Sequence, residues 1–305
     1  MDATQFSGQT LVILNPAANR GNMRDQRALA KQRAEQEQAE YVETRLQGEA
    51  KERAMQAASE NRPIIIVGGD GSVHEVVNGI LASGRRVPLG IVAAGSGNDF
   101  AWNTLKLPRD PALAIERAFH GQMVEVDVGR VNGRYFANSC SIGIDADIAV
   151  AAGTMKKYPL MSGQRLYYTT SLKQLLFGYG RCPWLRFELD GAAQAGGAAE
   201  RRYVLMAVTN GPTYGAGFRI NPSADHCDGL FDVCAISHVP LLRALRMLPV
   251  VKKGEHQNLP EVTFYRARSL SIESRDPVNV QMDGETTRAS SYAIEMLPGA
   301  LLVRV

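Results

Sequence analysis

The sequence is sparing with cysteine, with long apolar runs and with net charge. Its four cysteines, Cys140, Cys182, Cys227 and Cys234, stand far apart with no C-x-x-C pair, which argues against a disulfide frame or a zinc site and for reduced core thiols. Nowhere do 18 apolar residues follow one another, and Met1-Asp2-Ala3-Thr4-Gln5 shows no basic region ahead of an apolar one. Neither a membrane span nor a secretory leader is therefore expected, and the expected location is the cytoplasm. With 34 Lys and Arg against 31 Asp and Glu, the formal net charge is only +3. That is too little to argue for nucleic acid, and it does not oppose contact with an anionic membrane. The five histidines show no metal-ligand spacing. Neither the G-x-x-x-x-G-K-[ST] loop nor the G-x-G-x-x-G fingerprint occurs, and no internal repeat is found.

A length of 305 residues and a hydrophobic fraction of 45% suit two globular domains. Leu11 to Leu14 reads as a buried strand ending in Asn15-Pro16. A polar, Ala-rich helix fits residues 23 to 39, Tyr41 to Arg45 a second strand, and Glu49 to Ala58 a second helix. Ile64-Ile65-Ile66-Val67 is the clearest buried strand. Val73, Val76, Val77, Ile80 and Leu81 then recur at helical spacing, and Leu89 to Ala93 precedes Gly95-Ser96-Gly97-Asn98. This alternation predicts crossover connections and a mainly parallel sheet. Such a sheet gathers the Asn15, Thr44, Gly68 to Gly71 and Gly95 to Asn98 loops at its carboxyl edge, where ligands bind. From about residue 124 the texture turns β-rich, beginning with an Asn132-Gly133 hairpin signal between Val124 to Val131 and Tyr135 to Ser141. Strands are expected at Leu185 to Leu189, Arg202 to Val208, Phe231 to Ile236, Val262 to Tyr265, Leu270 to Glu273 and Val278 to Met282. Helices are expected at Leu166 to Phe177 and Leu241 to Lys253, and a flexible loop at Gly191 to Ala199. The fold class is thus α/β followed by all-β: an α/β domain over residues 1–126 and a larger β-sandwich over 127–305, with the last residues packing back on the first domain.

A Gly68-Gly69-Asp70-Gly71 turn between a buried strand and a helix lets backbone approach a phosphate, and the helix start at Ser72 adds unpaired amides and a favourable dipole. Taken alone, such a turn is as readily structural. Asp70 beside a phosphate seat implies a compensating cation or a proton relay, or else a cap for the helix that follows.

Asn15-Pro16, the run from Gly68 to Glu75, and Gly95 to Ala101 together resemble the nucleotide motifs of the diacylglycerol kinase catalytic domain. The resemblance continues through Asn138-Ser139 to Gly143, Asp225-His226-Cys227-Asp228-Gly229-Leu230, and Asp283-Gly284-Glu285, and so spans nearly the whole chain in order. It implies an active site in the cleft between the two domains. ATP contacts are implied at Asn15, Thr44, Gly68, Gly69, Asp70, Gly71, Ser72, Val73, His74, Ser96 and Asp99. Ser72 and Ser96 stand where the family more often has threonine, and both keep the hydroxyl. Asp283 would receive the proton of a lipid hydroxyl, with Glu285 helping to position the site. From physics alone D-G-E is merely a turn, so this role rests on the resemblance. The resemblance further implies Mg2+ at Asp225, Asp228 and the Leu230 carbonyl, with Asp127, Asp70 and Asp99 as associated acidic residues and Asp127 counted as a ligand. By similarity to sphingosine kinases, Asp147 would face a lipid headgroup. Family members are often dimers, so a homodimer is implied as well.

A lipid slot could be built from Ile142, Ile144, Tyr167, Tyr168, Leu172, Leu175, Leu176 and Phe177, although core packing explains most of these equally. A basic rim at Lys156, Lys157 and Arg165 suits a peripheral contact with a membrane surface. The expected activity is transfer of the ATP γ-phosphate to a glycerolipid hydroxyl, diacylglycerol first. The rivals are a nicotinamide-dinucleotide kinase, which shares the glycine turn, and a catalytically silent nucleotide-binding regulator.

Overall fold

Leu11–Leu14 and Ile64–Gly68 are buried at every position rather than at alternate ones, because their sheet is covered by helices on both faces. The computed structural model describes residues 6, 8–155, 163–193, 199–215 and 217–305, and side chains outside 154–168. It divides into two units, Met1–Val128 with Pro298–Val305, and Gly129–Leu297.

In the first unit, β1 (Leu11–Leu14), β2 (Glu40–Glu43), β3 (Ile64–Gly68) and β4 (Pro88–Ala93) alternate with α1 (Arg24–Gln36), α2 (Glu49–Ser59), α3 (Asp70–Ala82) and α4 (Pro111–His120). The strands pair in parallel in the order β2-β1-β3-β4. Val12, Leu14, Ile65, Val67 and Val92 pack with Ala30, Ala34, Ile115 and Phe119 of α1 and α4. On α3, Gly79 presses so closely on α2 that a Cβ there would sit 2.3 Å from the Lys51 carbonyl oxygen. From β1 the chain turns out to β2 and then crosses back to β3. The order therefore reverses between β1 and β3, and their carboxyl ends open the crevice where ligands of such sheets bind.

The second unit is built mainly from β5 (Met123–Val131), β6 (Arg134–Phe136), β7 (Ser139–Gly143), β8 (Trp184–Leu189), β9 (Ala192–Ala193), β10 (Arg201–Thr209), β11 (Phe231–Ser237), β12 (Val262–Ala267), β13 (Ser269–Met282) and β14 (Glu285–Arg304). The chain passes from one unit to the other within β5 and again within β14. Antiparallel pairing runs β12-β11-β10-β7-β13-β14, and β8 pairs with both β10 and β13. Phe136, Phe187, Phe231, Met206 and Ile272 fill the core of this sandwich. On the outer face of β7, β10 and β11 lie α5 (Ile144–Met155), α6 (Gly163–Phe177) and α7 (Leu241–Lys253). They bury Ile144, Ile148, Leu175, Met247 and Val251 against Leu205, Cys234 and Ile236. The last residues of β14, Leu302–Arg304, pair in parallel with Pro88–Gly90 of β4 inside the first unit.

Several expectations need correction. Cys227 is exposed, whereas Cys140, Cys182 and Cys234 are buried thiols, and burial raises the thiol pKa of all three. The helix α5 was not expected. Its Ala-rich sequence is apolar around most of its circumference, which hides the 3.6-residue period, and Gly143 at φ +112° turns the chain into it from β7. The expected strands at 270–273 and 278–282 are one strand, β13, with a register irregularity between Glu273 and Val278. The segment 135–141 breaks instead, since β6 pairs with β5 while β7 pairs with β10 and β13. Of the Gly191 to Ala199 loop, Ala192–Ala193 form β9, and 194–198 lie outside the described residues. Lys156 and Lys157 lie outside them too, as do the side chains of Arg165, Tyr167 and Tyr168. Among the described residues no helix is long and apolar enough to cross a membrane.

Candidate active site

Because β1 to β4 are parallel, the loops that follow them meet at one edge. Asn15 donates through Nδ2 to Ser72 Oγ at 2.8 Å, which ties the end of β1 to the start of α3. The Thr44 amide extends the β1 ladder by donating to the Leu14 carbonyl, and Glu75 Oε1 accepts the Gly48 N–H at 3.0 Å. None of Gly68, Gly69 or Gly71 has positive φ, so backbone conformation requires none of them, and contact constrains the first two. A Cβ on Gly68 would lie 2.7 Å from Ser72 Cβ, and one on Gly69 3.1 Å from Gly95 Cα. Around Gly71 there is open space, and Gly71 is exposed at the first turn of α3, where amides and dipole favour an anion.

Asp70, the first residue of α3, ties that helix to the next loop. Its Oδ2 accepts the Asn98 N–H at 2.7 Å, while Asn98, at φ +57°, closes its own loop by accepting from Gly95 N at 3.0 Å and donating to Gly95 O at 2.7 Å. Asparagine tolerates this left-handed conformation better than most residues. Ser96 is exposed at the rim, Ser72 and Val73 are buried, and His74 is half-buried on α3 with its carbonyl accepting from Asn78. Asp99 is buried, with Oδ1 accepting from Asn103 at 2.8 Å.

Asp283 and Gly284, at φ +50° and +92°, form the two-residue turn between β13 and β14, the left-handed pair that suits a tight hairpin. The Asp283 carboxylate accepts three backbone N–H groups: Ala137 on Oδ2 at 2.7 Å, and Asn138 and Ser139 on Oδ1 at 3.0 and 2.9 Å. Its own amide donates to the Ser139 carbonyl. The Asn138-Ser139 motif thus serves as a cradle that fixes the carboxylate. Asn138 is held in turn by donating to Thr213 O at 2.9 Å. Glu285 is exposed at the start of β14.

Between β10, β11 and the helices α5, α6 and α7 lies a narrow apolar cavity of about 80 Å³, smaller than a typical small-molecule site. Ile144, Ile148, Leu175, Phe218, Met247 and Val251 are among its walls, with Asp145 and Ser171 among the polar exceptions. Of the residues expected to form a slot, Ile144 and Leu175 do line it, whereas Ile142 belongs to the sandwich core. Leu172, Leu176 and Phe177 are exposed on α6.

Residues 9–131 match the diacylglycerol kinase catalytic domain model, and residues 138–305 match the YegS C-terminal NAD kinase beta sandwich-like domain. A diacylglycerol kinase of Staphylococcus saprophyticus is 31% identical over 240 residues, covering 78% of this chain and 75% of the relative. The chain belongs to the diacylglycerol kinase family. A second such enzyme, from Bacillus subtilis, is 29% identical over 283 residues, 90% of this chain and 88% of that one. The crystal structure of a diacylglycerol kinase from Bacillus anthracis str. Sterne shares the fold, with a TM-score of 0.72, 22% identity and coverage of 97% and 96%. The protein is a lipid kinase, with an α/β catalytic domain followed by a β-rich domain.

The residues expected to hold a metal in this lipid kinase fall in both units: Asp127 in the first, Asp225, Asp228 and Leu230 in the second. Asp127 is buried in β5 and accepts the Gly299 N–H at 2.7 Å. Asp225 Oδ1 accepts from Cys227 N, Asp228 Oδ1 accepts from Leu230 N, and Asp228 Oδ2 pairs with Arg266. Beside them Asp232 Oδ2 and Asn221 Oδ1 are buried without a hydrogen-bond donor. Burial first, and then the Asp228 and Asp225 charges, push the Asp232 carboxyl up to about 6. Oxygen-rich and acidic, with Arg266 as its cationic partner, the cluster offers the donor atoms that a hard divalent cation takes. Asp225, His226 and Cys227 also bring ligand atoms within 4.8 Å of one another, although Asp225 and Cys227 are exposed. Asp147 is placed away from the apolar cavity. It accepts from Asn279 Nδ2 at 2.6 Å and lines a separate depression with Arg181 and Arg288. In the sequence Asn98 reads as the end of the Gly95 to Asn98 loop with no role of its own, and Asp145, Gln281 and Asp232 go unread. The Asn of G-S-G-N was a usable turn signal, whereas the other three acquire meaning only from tertiary neighbours.

Proposed function

We propose that this lipid kinase transfers the γ-phosphate of ATP to the primary hydroxyl of a glycerolipid, diacylglycerol before others, giving phosphatidic acid. The observation that carries the reading is the clamped Asp283 carboxylate in a unit that also holds a cavity with mostly apolar walls. The names of the relatives support the same substrate. The first unit seats the nucleotide phosphates at Gly69 to Ser72, where the amides of the first turn of α3 stabilise their charge. Asp283 accepts the hydroxyl proton as the new O–P bond forms and the bond from the γ-phosphorus to the ADP oxygen breaks. Such base assistance contributes roughly 10²–10⁴ in rate, and aligning acceptor and phosphate contributes at least as much. Mg2+, held by Asp225, Asp228 and the Leu230 carbonyl, would neutralise charge and order the acidic cluster. Exposed Leu172, Leu176 and Phe177 flanking Lys173 on α6 support peripheral contact with a lipid surface.

The test offers γ-labelled ATP and Mg2+ together with diacylglycerol, phosphatidylglycerol, a sphingoid base and a nicotinamide dinucleotide. Label entering diacylglycerol is the expected result. Label entering the dinucleotide alone would overturn the acceptor class, and label in another lipid would correct the substrate.

A further inference from the structure

The base-bearing turn and the apolar cavity are joined by a chain of three hydrogen bonds, the last two of them buried. Gly284 N–H donates to Gln281 Oε1 at 2.9 Å, Gln281 Nε2 donates to Ser141 Oγ at 3.0 Å, and the Ser141 hydroxyl donates to Asp145 Oδ2 at 2.5 Å. Every donor points the same way, from the turn toward the Asp145 carboxylate. Aligned bonds of this kind polarise one another, and the last is strengthened by the acid that receives it. Gln281, Ser141 and Asp145 are all buried, so water does not compete for the last two bonds, while the first starts from the exposed Gly284. Asp145 stands in the wall of the cavity, on the first turn of α5. In the same wall, on α6, the Ser171 hydroxyl is buried with no hydrogen-bond partner. A hydroxyl in that state has a hydrogen bond to offer to whatever enters the cavity, and an ester carbonyl of a bound glycerolipid would accept it.

We propose that Gln281, Ser141 and Asp145 are positioning residues that set the Asp283-Gly284 turn in register with the lipid cavity, so that a seated acyl glycerol presents its hydroxyl to a carboxylate already in place. The proposal rests on the lipid-kinase reading and adds the residues that align its two halves in the second unit. It explains why a glutamine with both amide groups in use sits two residues before the base. In β13 alternate residues share a face, so Gln281 faces away from Val280 and Met282 of the sandwich core and toward Ser141.

The experiment measures amide exchange at Gly284 and steady-state kinetics on micellar diacylglycerol for the wild type and for Gln281→Met, Asp145→Asn, Ser141→Ala and Ser141→Thr. Asp145→Asn, three hydrogen bonds away, keeps an acceptor oxygen but removes the charge that strengthens the last bond, and should speed Gly284 exchange about threefold. Gln281→Met, which removes the acceptor itself, should speed that exchange about tenfold and lower kcat about tenfold or more with KM within about twofold, the signature of lost alignment rather than lost binding. Ser141→Thr, which keeps the hydroxyl, should restore what Ser141→Ala loses. Unchanged Gly284 exchange in Asp145→Asn, or an unchanged kcat in Gln281→Met, would overturn the relay. A wild type that labels no lipid would instead remove the lipid-kinase reading, and the exchange data would still decide whether the chain of bonds holds the turn.

Discussion

At the scale of single residues, buried acceptors without donors mark the least settled part of the molecule. Asp232 is raised to about 6 by burial ahead of the Asp228 and Asp225 charges, while an ordinary aspartate titrates near 3.9. The folded protein therefore binds this proton more tightly than the unfolded chain does. The stabilising contribution is full below the ordinary value and is lost as pH rises through about 6. Replacing Asp232 by Asn should leave the melting temperature nearly unchanged at pH 4 and raise it at pH 7.5 in metal-free buffer, as followed by thermal melts. An equal difference at both pH values would show that the carboxylate is not strained. Added Mg2+ should narrow the gap at pH 7.5, because a cation in the cluster removes the same repulsion. None of this is visible in the sequence, where Asp232 is simply a polar position near the start of a strand.

At the scale of elements, two glycine loops meet face to face, and the contact separates two uses of glycine. Gly69→Ala places a Cβ 3.1 Å from Gly95 Cα, so the loops must part. A loss of about 1–3 kcal/mol in stability is expected, the usual result of overpacking, together with weaker nucleotide binding. Gly71→Ala meets nothing within 4 Å and should fold as well as the wild type, yet lose nucleotide affinity because the methyl enters the phosphate seat. Denaturant melts paired with ATP titrations separate the two effects. Equal stability of both variants would refute the contact. The glycines themselves were legible, since Ile64 to Val67 followed by G-G-D-G announces a strand, a turn and a helix. That their role is loop-to-loop packing depends on β3 and β4 lying side by side, which no local pattern states. Asp283 shows the same limit: D-G reads as a hairpin turn from sequence, while the three amides that fix its carboxylate come from residues more than 140 positions earlier. The helix α5 escaped because it is packed on several sides and its apolar residues lose their period.

At the scale of the whole molecule, the first unit depends on chain that is distant in sequence, whereas the second is one continuous stretch. The first unit is closed by Leu301, Leu302 and Val303, all buried, with Leu302–Arg304 paired to β4. Removing residues 298–305 should therefore unfold the first unit or lower its melting temperature by roughly 5 °C or more, given several kcal/mol of lost apolar burial, and should abolish ATP binding. Calorimetry with a nucleotide titration checks this, and a truncated chain that binds ATP normally would contradict it. The division of labour, with phosphate at the α3 turn and the proton acceptor at Asp283, is tested most directly by single-turnover transfer from γ-labelled ATP to diacylglycerol, comparing the wild type with Asp283→Asn. The account predicts a fall of roughly 10²–10⁴ in the transfer rate with ATP affinity unchanged, because the nucleotide seat lies in the other unit. Transfer at the wild-type rate by Asp283→Asn would contradict it.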